Sequence, residues 1–220
     1  DGSPIPKTLN GSFLMDSAAF TYLPRNFNLL NGKGKIRFSA GDMFIEDLHV
    51  NTGSTDLLMN GNMKNLLSLI DRNTSQLTLD WDIRSNRINL NDFKVFLKKR
   101  TGSVSKKKKK ALLSETLYQI TRLMETSSMR LNLQAKQLNY KKFTATGIRT
   151  SMQLDDDAIN MKSLVLEHAG GSIEANGSLR NETNSNPFSF KATVRHVDVS
   201  KVFDAFNNFG QQAIAAKNIQ

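Results

Sequence analysis

The residues that could do chemistry begin with an acidic run, Asp155-Asp156-Asp157. Carboxylate oxygens are the ligands that calcium and magnesium prefer, but these ions need about six or more converging oxygens. An earlier segment of similar pattern, described below, has Ser39-Ala40-Gly41 at the equivalent place, and these residues favour a turn. We therefore interpret the acidic run as a solvated turn and predict no metal site.

The histidines are the second candidates for chemistry. His49, His168 and His196 lie far apart in the sequence, and no cysteine, HExxH pattern or serine elbow accompanies them. The glycines do not form a GxGxxG or P-loop pattern. We predict that the histidines are exposed or lie at a rim, that no residue is catalytic, that no cofactor is bound and that the protein is not an enzyme.

The basic residues form the third group. The chain carries a net charge of +10, and the runs 98–100 and 106–110 supply +8 of it, so the rest of the chain is nearly neutral. A solubilising linker is the first interpretation and contact with anionic lipid headgroups is the second. Nucleic acid is the least favoured, because few aromatic residues surround the run, and we predict no nucleic-acid partner. The residues of the membrane-surface interpretation are Lys106, Lys107, Lys108, Lys109 and Lys110.

These candidates must be positioned by strands, because apolar and polar residues alternate over most of the chain. An alternation with a period of two is typical of half-buried strands. The pattern of the last third, 152–209, also occurs earlier at an offset of 116 residues. Leu48 matches Leu164, and Asn60-Gly61 matches Asn176-Gly177. In both segments the apolar positions change parity, which predicts a β-bulge near 46–47 and near 162–163.

A charged stretch interrupts the strands. Residues 98–110 show no periodicity, which predicts a loop, and apolar residues at helical spacing over roughly 111–126 predict an amphipathic helix. Ser200 is the predicted N-cap of a short C-terminal helix. We predict a mainly β fold, an elongated, curved antiparallel sheet that forms a groove. It would contain a first repeat over 1–97, the loop and helix over 98–128, and a second repeat over 129–220.

The strand-rich segments resemble a known family. LVLEHAGGSIEANGSLRN and the following PFSFKATVRHVDVSKVFDAF resemble the C-terminal region of AsmA-type (AsmA/TamB-like) proteins. The resemblance covers most of 1–97 and 129–210 and does not explain 98–128. It implies a periplasmic β-groove, anchored to the inner membrane by an N-terminal helix that this segment lacks. It also implies a role in outer-membrane biogenesis and phospholipid transport, with no catalytic residues. The opening residues lack the pattern of a signal peptide, so we expect a segment of a longer protein.

The functional hypothesis rests on the inward face of the sheet. We expect phospholipid, or another acyl-chain lipid, to contact apolar side chains that point to one side of their strands. Other expected partners are further segments of the same chain and envelope assembly proteins. The alternative is a scaffold for outer-membrane assembly that pairs strands at an open edge and conducts no lipid. The predicted lipid-facing residues are Leu57, Met59, Leu77, Leu79, Trp81, Ile83, Leu131, Leu133, Ile173, Phe188, Phe190, Ala192 and Val194.

Overall fold

The computed structural model describes residues 8–22, 26–66, 77–97, 128–155, 158–180 and 187–206. Ten strands account for most of them. The first five are β1 (Gly11–Tyr22), β2 (Phe27–Ser39), β3 (Asp42–Thr52), β4 (Thr55–Lys64) and β5 (Thr78–Asn89). The second five are β6 (Ser128–Tyr140), β7 (Phe143–Leu154), β8 (Ala158–His168), β9 (Gly171–Arg180) and β10 (Phe188–Arg195).

All ten strands belong to one sheet, in which their spatial order equals their order in the chain. The sheet is open, and β1 and β10 stand at its two ends. Every neighbouring pair is antiparallel except β5 and β6, which are parallel from Thr78 opposite Ser128 to Asn89 opposite Asn139. The prediction of a mainly β, mostly antiparallel fold is confirmed. The β5–β6 pair departs from the predicted antiparallel arrangement, because the long connection over 90–127 returns the chain to the end at which β5 began.

Two register shifts lie where the sequence predicts bulges. Between β3 and β4, the pair Ile45–Gly61 is followed by Leu48–Met59, so β3 contains one extra residue. Between β8 and β9, the pair Met161–Gly177 is followed by Leu164–Ala175, with the same excess in β8. Each extra residue moves the following apolar side chains back to the face that the earlier ones occupy.

Short helices follow the fifth and the tenth strand. A 3-10 turn (Leu90–Phe93) and α1 (Lys94–Leu97) follow β5, and the Asn89 side chain caps the turn by accepting a hydrogen bond from the Asn91 N–H at 3.1 Å. The C-terminal helix is confirmed as α2 (Val199–Ala205). Its N-cap is Asp198 and not the predicted Ser200, because the Asp198 carboxylate accepts from the Ser200 N–H at 3.0 Å.

The buried side chains form three clusters. One includes Val50 and Ile83 on the strands around β4, a second consists of Leu77 and Leu79, and the third includes Ile148 of β7 and Ala205 of α2. Fully burying a Val, Leu or Ile side chain contributes about 1.5–3 kcal/mol. The predicted helix over 111–126 and the basic run Lys106–Lys110 lie outside the described residues.

Candidate functional site

The strand registers align apolar residues across the whole sheet. Side chains of directly opposite residues on neighbouring strands point to the same face. The row through Trp81 therefore crosses all ten strands on one side of the sheet. From β1 to β10 it consists of Phe13, Ile36, Ile45, Gly61, Trp81, Leu131, Met152, Met161, Gly177 and Phe190.

Two flanking rows lie on the same face, which we call the apolar face. The row through Leu79, from β2 to β10, consists of Phe38, Met43, Met63, Leu79, Met129, Leu154, Ile159, Leu179 and Phe188. The row through Ile83, from β3 to β10, consists of Leu48, Met59, Ile83, Leu133, Thr150, Leu164, Ala175 and Ala192.

The predicted lipid-facing residues are thereby located. Leu57, Ile173 and Val194 lie two residues along their strands from members of the Ile83 row, so strand alternation sets them on the apolar face as well. Leu77 precedes β5 and packs in a buried cluster with Leu79. Every other predicted residue belongs to one of the three rows.

Exposure changes along the apolar face. In the middle of the sheet Leu57, Met59, Leu79 and Ile83 are buried, with Leu79 only 2% exposed. Trp81, Leu131, Leu133 and Ile173 are partly buried. At the β10 end, in contrast, Phe188 is 69% exposed and both Phe190 and Val194 are 55% exposed. The sequence predicts similar apolar sides for β5 and β10, but the structure distinguishes them. The apolar side chains of β5 are packed, whereas those of β10 are exposed to solvent.

Two exposed residues at this end were not among the predicted set. Ile159 of β8 and Leu179 of β9 are opposite each other, and Leu179 is opposite Phe188. Their alternation was visible in the sequence, but nothing local distinguishes an exposed apolar position from a buried one. With Phe188, Phe190 and Val194 they form what we call the open patch, and the Phe188 and Phe190 rings stack with centroids 6.0 Å apart.

The opposite face of the sheet carries ion pairs. Across the parallel junction, the guanidinium of Arg130 donates two hydrogen bonds to the Asp80 carboxylate, and Asn132 donates to Asp82 at 3.0 Å. The hydrogen bonds from Arg130, reinforced by its charge, hold the pKa of Asp80 below its ordinary value. On β3, hydrogen bonds from Arg37 and Lys35 likewise lower the pKa of Glu46.

Asp56 of β4 holds the end of β5 through backbone hydrogen bonds. Its carboxylate accepts from the Asn86 N–H at 3.0 Å and from the Arg87 N–H at 2.8 Å. Burial raises the pKa of Asp56, but these hydrogen bonds outweigh that effect and leave the pKa below its ordinary value. The Asp56 carboxylate thus accepts the hydrogen bonds of two backbone N–H groups that would otherwise need the carbonyl groups of a neighbouring strand.

Two of the histidines line the same cleft at one end of the sheet. His168 and His196 line a cleft of about 590 Å³ with Glu167 and Arg195, at the turn between β8 and β9. The His168 Nδ1 lies 2.7 Å from the carbonyl oxygen of Thr144. The sequence did not indicate this proximity, because His168 ends β8 whereas His196 follows β10. In the described part of the chain, no three His, Asp or Glu side chains are grouped closely enough to hold a metal ion.

Nothing in the described helices has both the length and the apolar character needed to cross a membrane. Comparison of the chain with models of known families, with curated proteins and with solved structures found no match.

Proposed function

We propose that the chain is a non-enzymatic section of a periplasmic β-groove that binds the acyl chains of phospholipid on its apolar face. The open patch carries this proposal. Ile159, Leu179, Phe188, Phe190 and Val194 present adjoining apolar side chains to solvent on three consecutive strands. Neighbouring exposed apolar residues on a folded protein mark interaction sites for apolar partners.

An acyl chain suits this surface for a physical reason. Each methylene group removed from water contributes about 0.8 kcal/mol, so a guest that covers several side chains gains several kcal/mol. The stacked phenyl rings of Phe188 and Phe190, with an interplanar angle of 13°, supply adjoining apolar surface for a flexible chain. Because the middle of the apolar face is packed, a guest at the β8–β10 end can bind without displacing core side chains.

We further propose that the sheet consists of two copies of one five-strand unit. Three pairs of strands begin 116 residues apart: β2 and β7, β3 and β8, and β4 and β9. The bulges after Ile45 and after Met161 are separated by the same offset. Two pairs of residues with a left-handed backbone conformation are also 116 residues apart: Asn31 and Gly147, and Gly53 and Ala169. A duplicated unit extends a groove by repeating the same face, as the resemblance to AsmA-type proteins implies for lipid transport in outer-membrane biogenesis.

Native mass spectrometry of the purified protein tests lipid binding. We expect adducts with the mass of phospholipid, and we expect displacement of a fluorescent fatty acid by added phospholipid. The variant Phe190→Asp should weaken binding, since it charges the centre of the open patch. Leu14→Asp is the matched control, because Leu14 is 84% exposed but lies opposite Lys35 on the other face.

Two results would contradict lipid binding: no adduct or fluorescence change with the unmodified protein, or equal loss of binding in Phe190→Asp and Leu14→Asp. Either would favour the second candidate, a scaffold for outer-membrane assembly. One observation supports that candidate specifically. Both end strands present an edge that, among the described residues, has no strand beside it.

A further inference from the structure

The β10 edge has an occupied counterpart within the same sheet. On β5 the apolar residue Leu79 is buried, and the strand is flanked by β4 on one side and by the parallel β6 on the other. On β10 the corresponding apolar residues are exposed, and in the described part of the chain β9 is its sole neighbour. The difference in burial therefore accompanies the difference in neighbours.

β10 relates to β9 as β5 relates to β4. Trp81 is opposite Gly61, and Phe190 is opposite Gly177. On its other side each glycine is opposite the residue that comes just before a bulge, Ile45 for Gly61 and Met161 for Gly177. A Cβ atom added at Gly61 would lie 2.5 Å from the Trp81 ring, and one at Gly177 would lie 3.4 Å from the Phe190 ring. An aromatic ring thus covers a glycine of the preceding strand in both places.

The first strands of the two halves correspond in the same way. β1 relates to β2 as β6 relates to β7: Phe13 is opposite Ile36, and Leu131 is opposite Met152. Leu131 is partly buried between its neighbours, whereas Phe13 at the outer strand is 62% exposed. The edge of β1 that faces away from β2 therefore corresponds to the edge of β6 that pairs with β5.

We propose that β1 of a second copy of this chain adds in parallel to β10, repeating the β5–β6 junction between molecules. In the β5–β6 junction Trp81 is opposite Leu131. Phe190 corresponds to Trp81 and Phe13 corresponds to Leu131, so the same register sets Phe190 opposite Phe13 of the second copy. The same register sets Phe188 opposite Gly11 of the second copy, where an added Cβ atom would meet nothing within 4 Å, so the ring has room. Both contacts cover apolar side chains that are exposed in the single chain.

The chemistry of the two edges favours this pairing over alternatives. β10 is paired with β9 in regular register over its full length and contains no proline or bulge, two of the features that protect edge strands from pairing. β1 has register shifts only after Met15, and its regular part, Gly11 to Met15, is the part that the new register sets opposite Phe188 to Ala192. On its polar face the new register brings Lys191 near Asp16 of the second copy. Two-fold pairing of β10 with β10 would instead bring Lys191 of both copies onto neighbouring strands, and like charges on neighbouring strands are unfavourable.

A contact of this kind is heterologous, so a dimer keeps one edge for the next copy, and assembly continues until a ring closes or a filament forms. Association should therefore increase with concentration and proceed beyond the dimer. The proposal depends on the correspondence between the two five-strand units and not on lipid binding. Its test is done on delipidated protein, so failure of one proposal is distinguishable from failure of the other.

Cysteine cross-linking tests the register directly, since the sequence contains no cysteine. Single variants Phe13→Cys and Phe190→Cys are mixed in equal amounts and oxidised mildly. We expect the mixture to give a disulfide-linked dimer in at least several-fold higher yield than either variant alone. A yield in the mixture no higher than in the separate variants would overturn the proposal, and efficient linkage of Phe190→Cys alone would indicate β10–β10 pairing instead.

Sedimentation equilibrium tests the association without cross-linking. The unmodified protein should show a mass that rises with concentration, and Phe190→Lys should remain monomeric because an inward-facing charge blocks strand addition. Val199→Lys, at an exposed apolar residue of α2, is the control that should associate like the unmodified protein. Circular dichroism confirms that each variant is folded. A monomer at every concentration, or equal effects of the two lysine variants, would refute the proposal.

Discussion

The ring of Trp81 on β5 lies against the backbone of Gly61, its register partner on β4. Gly61 is also opposite Ile45 of β3, and this pair is the one next to the bulge of β3. The absence of a side chain at this position lets an indole cover the strand at the place where the extra residue bends it. The glycine, the ring and the bulge therefore form one structural unit.

Gly61→Ala should destabilise the protein. The added methyl group would lie 2.5 Å from the Asp80 carbonyl oxygen and 2.5 Å from Trp81 Cδ1, so the backbone of β5 must shift. We expect a loss of about 1–3 kcal/mol in the free energy of unfolding, measured by urea denaturation. Gly11→Ala is the control, because a Cβ atom there meets nothing within 4 Å. Equal stability of the two variants would mean that Trp81 does not pack on Gly61.

Charges placed in the middle and at the end of the apolar face should have different effects. Leu79→Asp would bury an unpaired carboxylate at a cost of several kcal/mol, and the protein should unfold. Phe190→Asp should remain folded, because the exposed position keeps the carboxylate hydrated. Thermal melts followed by circular dichroism distinguish these outcomes. A folded Leu79→Asp variant with an unchanged melting temperature would show that water reaches the middle of the face.

Asp56→Ala should destabilise the protein by about 0.5–1.5 kcal/mol, because it removes the hydrogen bonds to the exposed N–H groups of Asn86 and Arg87, which water partly replaces. Asp82→Ala is the matched control on the neighbouring strand, since Asp82 accepts from the exposed Asn132 side chain. We expect the control to change stability by less than about 0.5 kcal/mol. The comparison is made by urea denaturation at neutral pH.

The effect of Asp56 should also depend on pH. Its pKa is lower in the folded protein than in the unfolded chain, so its stabilising effect is complete above the ordinary aspartate pKa of about 3.9. That effect is lost as the pH falls through the lower pKa of the folded protein. The difference in stability between the unmodified protein and Asp56→Ala should therefore shrink below about pH 4. A difference that grows on acidification would contradict the assigned hydrogen bonds.

The linker interpretation predicts that replacement of Lys106–Lys110 by serine leaves the melting temperature almost unchanged, because a run of like charges in a linker contributes little to packing. Flotation with anionic vesicles is the second measurement. Each lysine near such a surface contributes about 1 kcal/mol, so membrane contact predicts weaker flotation of the variant. Equal flotation of both proteins would leave the linker interpretation.

Local patterns predicted the elements and the faces of the sheet. The alternation of Leu79, Trp81 and Ile83 set one side of β5, and a change of parity predicted the bulges of β3 and β8, because side chains on a strand alternate with a fixed period. Apolar residues after Ser200 predicted the C-terminal helix, although its N-cap is Asp198. These features depend on residues close together in the chain.

The tertiary structure alone decided which strands are neighbours. Nothing near Trp81 or Leu131 encodes that their strands run parallel, because direction depends on how the connection over 90–127 returns. Burial was decided in the same way. Leu79 and Phe188 occupy similar alternating strands, but Leu79 has strands on both sides whereas Phe188 lies on the last strand of the described residues. The period of a strand determines which way a side chain points, and only its spatial neighbours determine what covers it.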